Sequence, residues 1–257
     1  MTAVRHTWFM VGRQTRNLVR EPVWIAILLV QPMVWLLLYG QLFKNVTRLG
    51  GFGTTSYVTF LAPAIVVMNA FFGASWSGMN TVSDIERKVL ERFLATPASQ
   101  LSLVLSQIVR SALTAMLQGA IILVTAFALG VRVHTGAVGW LIVLAVAALV
   151  NAGFAGFAQG VALLVRRGPT VIAVANFISM PLLFLSSTLV AERQMPHWMR
   201  VLSRFNPVNW GVDVARGVVL PGTDWHSVST HLGYLLALVV ATTAFSNWTF
   251  RVYRRQL

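Results

Sequence analysis

The sequence predicts an all-α integral membrane protein with six transmembrane helices, an N-terminal amphipathic helix at the membrane interface, and an outer re-entrant helical hairpin between spans five and six. Three observations carry this. Of 257 residues, 56% are hydrophobic and only 11% charged, whereas soluble domains carry about 25% charged residues. Long apolar runs recur, each close to or beyond the about 20 residues that a bilayer core demands of a helix. No stretch alternates apolar and polar residues over the roughly ten positions of a barrel strand, so helices are the remaining route through the bilayer. So many spans leave no room for a large catalytic domain outside the membrane.

The elements follow in order within a single domain, residues 1–257. Residues 1–22 read as an interfacial helix. At about 100° per residue, Val4, Trp8, Val11, Thr15 and Leu18 share one side, and Arg5, Arg13, Arg16 and Arg20 share the other. Such a helix lies in the headgroup region, with its basic face on anionic lipid. The spans are 23–43, 59–80, 103–130, 137–165, 170–190 and 232–250. The polar, basic stretch before the first span and the lack of a small-residue cleavage site argue against a cleaved signal peptide.

Orientation follows from the basic residues between spans. One set of faces holds Arg5, Arg13, Arg16, Arg20, Arg87, Lys88, Arg92, Arg166, Arg167, Arg251, Arg254 and Arg255; the opposite short loops hold Lys44, Arg48 and Arg132. The richer side is cytoplasmic, which places both termini there. The net charge of +13 is thus a topology signal, and no nucleic-acid partner is implied. Of the 20 basic residues only Lys44 and Lys88 are lysine. With the abundance of Ala and Val, that bias points to a GC-rich bacterial genome and so to a bacterial plasma membrane.

Two loops are more than connectors. After the second span, Asp84-Ile85-Glu86-Arg87-Lys88-Val89-Leu90-Glu91-Arg92-Phe93 reads as a short charged helix, with Ser83 available as its cap and Thr96-Pro97 as its stop. Asp84 and Lys88 stand four apart, in the favourable order. This helix is either a knob for another protein's groove or a cytoplasmic extension of the second span; periodicity does not separate the two. Between spans five and six, Trp198–Leu202 and Trp210–Leu220 are apolar but too short to cross, and Asn206-Pro207 joins them as a hairpin dipping into the outer leaflet. Asp213 and Arg216 are spaced to pair within it.

Inside the spans Arg110 is the single charge, placed to snorkel or to meet Glu86 or Glu91. Gln31, Asn69, Gln107, Gln118, Asn151, Gln159 and Asn176 are neutral, and interhelical hydrogen bonding accounts for them. No carboxylate or histidine relay crosses the membrane, which disfavours an ion-driven transporter. Ala148, Ala152, Gly156 and Gly160 recur every four residues as a small-residue seam for close packing, within the bundle or between subunits. Pro32, Pro63 and Pro181 mark kinks or helix starts.

Enzymatic readings fail on residues. The chain has no cysteine, which removes disulfide, zinc-thiolate, iron–sulfur and thiol chemistry. Ser75 and His231 lie toward opposite faces, too far apart for a serine and its base. Asn206-Pro207 is the only Asn-Pro pair, whereas an aquaporin-like pore needs two. Neither lysine sits in a Gly-Lys-Ser/Thr phosphate loop, so no metal, cofactor or catalytic residue is assigned to this chain.

A basic amphipathic N-terminal helix, six spans, a charged loop ending in Leu94-Ala95-Thr96-Pro97, and the outer Phe205-Asn206-Pro207-Val208-Asn209-Trp210 leading to Asp213 and Arg216 together resemble the ABC-2 exporter permeases, specifically the daunorubicin-resistance type. The resemblance runs through the whole chain. It implies a dimer of permeases docked on cytoplasmic ATPase subunits that bind ATP and magnesium; a homodimer is favoured over a heterodimer, though the sequence does not separate the two. It also implies coupling to the ATPase through Asp84, Glu86, Arg87, Lys88, Glu91, Arg92 and Phe93, aided by the interfacial helix with Trp8, Arg13, Arg16 and Arg20. Asn206, Pro207, Asp213 and Arg216 fall in the outer re-entrant element, and Ala152, Gly156 and Gly160 in the packing seam. The implied cargo is an amphiphilic drug, lipid or lipid-linked glycan moved outward. The alternative from another class is a non-transporting membrane assembly factor or scaffold, for which the two interfacial elements would be superfluous.

Overall fold

The computed structural model describes residues 29–45, 47, 52–54, 56–89 and 100–255. The interfacial helix with Trp8, Arg13, Arg16 and Arg20, the start of the first span, and Glu91, Arg92 and Phe93 of the charged loop lie outside the described residues. Among the described residues all regular structure is helical. The helices are α1 Leu29–Leu42, α2 Tyr57–Glu86, α3 Gln100–Ala128, α4 Gly136–Val165, α5 Gly168–Phe184, α6 His197–Ser203, α7 Pro207–Val219 and α8 Trp225–Arg254. Four of them, α2, α3, α4 and α8, are long and apolar enough to cross a membrane; α5 and the described part of α1 are apolar but shorter.

Local chemistry sets the ends. Ser56 caps α2 by accepting the Thr59 N–H at 3.4 Å. Asn206 caps α7 through the Val208 N–H at 2.9 Å, with Pro207 in the first turn, where its missing N–H costs nothing. Asp224 caps α8 through the N–H groups of His226 and Ser227 at 3.0 and 3.4 Å. Arg166 closes α4 in the left-handed conformation, φ 57°. The last span is therefore longer than its apolar run at both ends. The fifth ends six residues early, because Pro181 lies inside its last turns and the following backbone turns away at Leu185.

α2 and α4 form the centre, packed on each other, with α3 against both and α8 laid along α4. Leu61, Ile65, Val67 and Phe71 of α2 and Val143, Val146 and Val150 of α4 belong to one buried apolar core. α7 lies on α2, α4 and α8. A Cβ on its Gly211 would come within 2.8 Å of Val150 Cγ2, so only glycine lets α7 sit this close. The turn before α4 stitches down the end of α7: the His134 N–H and the Thr135 hydroxyl take the carbonyls of Val219 and Val218 at 3.1 and 2.8 Å. Where α1 ends and α2 begins, Trp35, Tyr39, Phe43, Tyr57 and Phe52 form a chain of ring contacts, as expected of rings placed at a membrane interface.

The small-residue seam of α4 faces α8. Gly156 lies against Thr242 and Gly160 against the ring of Phe245; neighbouring Gly153 meets Leu238, and Ala152 is buried. A Cβ on Gly156 would sit 3.0 Å from Thr242 Oγ1, so Gly156→Val must push the helices apart. Overpacking of this kind costs about 1–3 kcal/mol. The expected outcome is a lowered unfolding temperature of the purified protein in detergent, recovered in part by Thr242→Ala.

Candidate functional site

Two polar clusters stand out, one toward each end of α2. The first is built on its C-terminal turn. The helix runs unbroken through Asp84 and Glu86, and the Arg87 N–H bonds to the Ser83 carbonyl at 3.0 Å. Ser83 thus lies inside α2 and begins no new helix, and Asp84 to Glu86 extend the span. The reason is that the Asp84 side chain is held by the bundle: Gln107 of α3 donates to its Oδ2 at 2.8 Å. Lys88 leaves the helix with φ 54°, so the four-residue pair with Asp84 does not form. Glu86, Arg87 and Lys88 are exposed.

Gln107 is the node of this cluster. Its Oε1 accepts from the Thr81 hydroxyl at 3.0 Å and from Gln159 Nε2 of α4. Gln159 Oε1 in turn accepts from the Ser246 hydroxyl of α8 at 3.0 Å. Thr81, Gln159 and Ser246 are almost fully buried. Arg110, three residues beyond Gln107, acts with Arg87 on the Asp84 carboxylate. Among the described residues the carboxylate that Arg110 acts on is therefore Asp84 rather than Glu86; Glu91 lies outside them. At the same end the Arg166 guanidinium lies 4.7 Å from the centre of the Tyr253 ring, joining the ends of α4 and α8.

The second cluster gathers around Arg216 of α7, which is 7% exposed. Its Nε donates to the Phe60 carbonyl at 3.1 Å, Nη1 to the Ser187 carbonyl, and Nη2 to the Thr188 carbonyl at 2.6 Å. The guanidinium also stacks 3.5 Å over the Phe60 ring. One planar fork thereby joins the start of α2 to the turn after α5, a geometry a lysine cannot reproduce. Asp213 is a neighbouring charge rather than the direct partner that its spacing proposed. It accepts from Asn209 Nδ2 at 2.8 Å. Asn206 and Asn209 complete the join by engaging the Leu182 carbonyl at 2.6 Å and the Ser187 N–H at 2.8 Å. Pro181, Asn206, Asn209 and Arg216 together explain why the fifth helix stops where it does.

A serine–histidine site does not assemble. Ser75 lines an apolar groove with Phe71, Phe154, Phe157 and Ser179, while His231 Nδ1 lies 3.3 Å from the Ser227 hydroxyl. Among the described residues no group of three or more His, Asp or Glu is placed to hold a metal.

The ABC-2 type transporter family matches residues 5–220, a stretch that includes both the Asp84 and the Arg216 clusters. The chain belongs to the ABC-2 type transporter family. It is similar to the putative transport permease ycf38 of Porphyra purpurea, 26% identical over 218 residues, 84% of this chain and 74% of that one. It is 24% identical over 259 residues to the daunorubicin resistance ABC transporter permease protein DrrB1 of Streptomyces coeruleorubidus, covering 99% and 88% of the two chains. Nodulation protein J of Rhizobium leguminosarum bv. trifolii is 29% identical over 238 residues, 91% and 88%. The chain is thus an ABC-2 permease, a transporter subunit with several apolar helices, and ABC-2 permeases work with an ATPase subunit.

For this permease, the sequence pattern gives Gln107 and Gln159 no more than ordinary interhelical bonds, and it carries no signal for Ser187, Thr188, Asn209 or Ser246. The partners that join these residues to other segments stand between 22 and 87 positions away, beyond any spacing rule. Replacing Arg216 tests the second cluster. Arg216→Ala leaves three buried carbonyls without their donor, at about 1–3 kcal/mol for each unsatisfied group. Arg216→Lys restores charge but cannot reach both segments. The expected result is a large fall in unfolding temperature in lipid nanodiscs for Ala, and a smaller fall that still leaves Lys well below the native chain.

Proposed function

We propose that this chain is the membrane-spanning subunit of an ATP-driven exporter. It moves an amphiphilic drug, lipid or lipid-linked glycan outward with energy from a separate cytoplasmic ATPase. The observation that carries the reading is the exposed Glu86-Arg87-Lys88 turn at the tip of a long apolar helix, in a chain that belongs to a transporter family. A charged tip of mixed sign suits a groove on a soluble partner. Glu91, Arg92 and Phe93 follow this turn in the sequence, and the reading assigns them, with Trp8, Arg13, Arg16 and Arg20, to the same coupling role.

In this reading α1 and α5 complete six spans, both termini are cytoplasmic in a bacterial plasma membrane, and two copies form the pathway. The placement of Arg87, Arg166, Arg251 and Arg254 at helix ends of like side agrees with that orientation. α6 and α7 form the outer re-entrant hairpin. Backbone that breaks at membrane depth must be satisfied by protein, and the Arg216, Asn206 and Asn209 contacts supply this for the α5–α7 region. The uncharged groove along α2, α4 and α5 is compatible with an amphiphilic cargo and selects none. The daunorubicin relative supports drug efflux as one member of that class.

The test is recovery of the tagged chain from native membranes in mild detergent. A stoichiometric co-purifying ATPase, released at least tenfold by the double reversal Glu86→Lys and Glu91→Lys while membrane insertion is unchanged, is the expected outcome. Undiminished co-purification and export in the double variant would sink the assignment of this turn to coupling.

A further inference from the structure

The hydrogen bonds around Gln107 run in one direction. The Ser246 hydroxyl donates to Gln159 Oε1, Gln159 Nε2 donates to Gln107 Oε1, and Gln107 Nε2 donates to Asp84 Oδ2. An ionised carboxylate only accepts, so Asp84 fixes the orientation of the Gln107 amide. That amide in turn fixes Gln159, and Gln159 leaves its oxygen to Ser246. Thr81 adds a second bond to the Gln107 oxygen from α2 itself. The chain of bonds therefore begins two residues from the exposed charges of the α2 tip and touches α2, α3, α4 and α8 in turn. It divides the charged segment, with Asp84 facing inward and Glu86, Arg87 and Lys88 outward.

We infer that Gln107 is a positioning residue for energy coupling: it ties the Asp84 turn of α2 to α4 and α8, so that a displacement imposed on that turn from outside moves these helices together. This rests on the permease reading above. α8 shows why such a tie is needed. Little of its length is buried within the chain, and it meets α4 along the small-residue seam, a surface on which helices can slide. Its Ser246 bond is a fixed polar point on that seam, at the same end as the α2 tip. α2 carries the Arg216 socket near its other end, so what moves the tip also reaches the outer helices α6 and α7.

The test uses the absence of cysteine from the chain. Trp225, half-exposed at the far end of α8, is replaced by cysteine and labelled with an environment-sensitive fluorophore before assembly with the co-purified ATPase. Emission is compared in the nucleotide-free and the ATP–vanadate-trapped complex. The native background is expected to shift on trapping. Gln107→Met is expected to lose at least three quarters of that shift while the complex still hydrolyses ATP. Asn69→Leu, which removes a comparable interhelical bond to Gln118, is expected to keep it. Gln107→Glu sets two carboxylates against each other and breaks the donor–acceptor match, whereas Asp84→Asn keeps an amide oxygen that can accept from Gln107 Nε2. Combined, the two substitutions restore the match in reverse, with an amide on α2 donating to a carboxylate on α3, and the double variant is expected to recover at least half of the shift that Gln107→Glu loses. That comparison decides the matter even if Gln107→Met does not insert.

A Gln107→Met complex with the full shift, or a double variant no better than Gln107→Glu alone, overturns the inference and leaves the permease reading intact. A native complex that binds no ATPase, or that shows no shift on trapping, overturns both.

Discussion

A polar side chain carried into a bundle of apolar helices has to find its partner on another helix, because the hydrocarbon around it offers none. That constraint shapes this protein at both ends of α2. At one end the exposed charged tip is tied back through Asp84 to three other helices; at the other, Arg216 of α7 gathers carbonyls from the start of α2 and from the turn after α5. Between these points α2 and α4 meet through apolar side chains and one buried hydrogen bond, from Asn151 Nδ2 to the Ala70 carbonyl at 2.8 Å. The apolar contacts by themselves would accept small rotations and slides without much discrimination. The polar clusters set the register that the apolar seam leaves free.

Magnitudes support that division. Interhelical hydrogen bonds in membranes are worth about 0.6 kcal/mol on average, so the chain from Ser246 to Asp84 contributes modestly to stability. Its consequence lies in geometry, since each amide has one orientation that satisfies both neighbours. The Arg216 socket is different. A buried guanidinium that lost its acceptors would be costly, and the fork that holds it spans two segments well apart in the sequence. Stability is concentrated at that end and alignment at the other.

How much of this was legible follows from where the information lies. The spans at α2, α3, α4 and α8 could be read because each is a continuous apolar run; Ser56, Asp224 and the Asp84–Gln107 bond extend helices beyond their apolar stretches, and α3 and the end of α8 also depart from the expected bounds by two to four residues. The end of α5 could not be read, because it is decided by Asn206, Asn209 and Arg216, side chains about 22 to 29 positions further along. Asp213 and Arg216 invited a pairing by spacing alone. The carbonyls at the turn after α5 competed for the guanidinium and won, since they had no other donor of that reach. The seam from Ala152 to Gly160 was visible as a place for close approach, but periodicity within α4 carries no information about which helix arrives; the complementary Thr242 and Phe245 lie in a segment whose own pattern is plain.

The α2 tip shows why charge runs are read poorly as units. Asp84, Glu86, Arg87 and Lys88 look like one solvated surface, yet the helix turns Asp84 through two of its 100° steps away from Glu86. The carboxylate nearer the bundle is captured by Gln107 and the rest stay in water. In the proposed reading the α2 tip grips both a soluble partner and its own membrane domain, and such an element needs both kinds of charge within one turn. A purely exposed run would grip the partner and slip on the bundle. A purely buried one would hold the bundle and offer the partner nothing. The sharp exit of the chain at Lys88, with its left-handed backbone, ends the helix where the inward-facing charge has been satisfied and the outward-facing ones have begun.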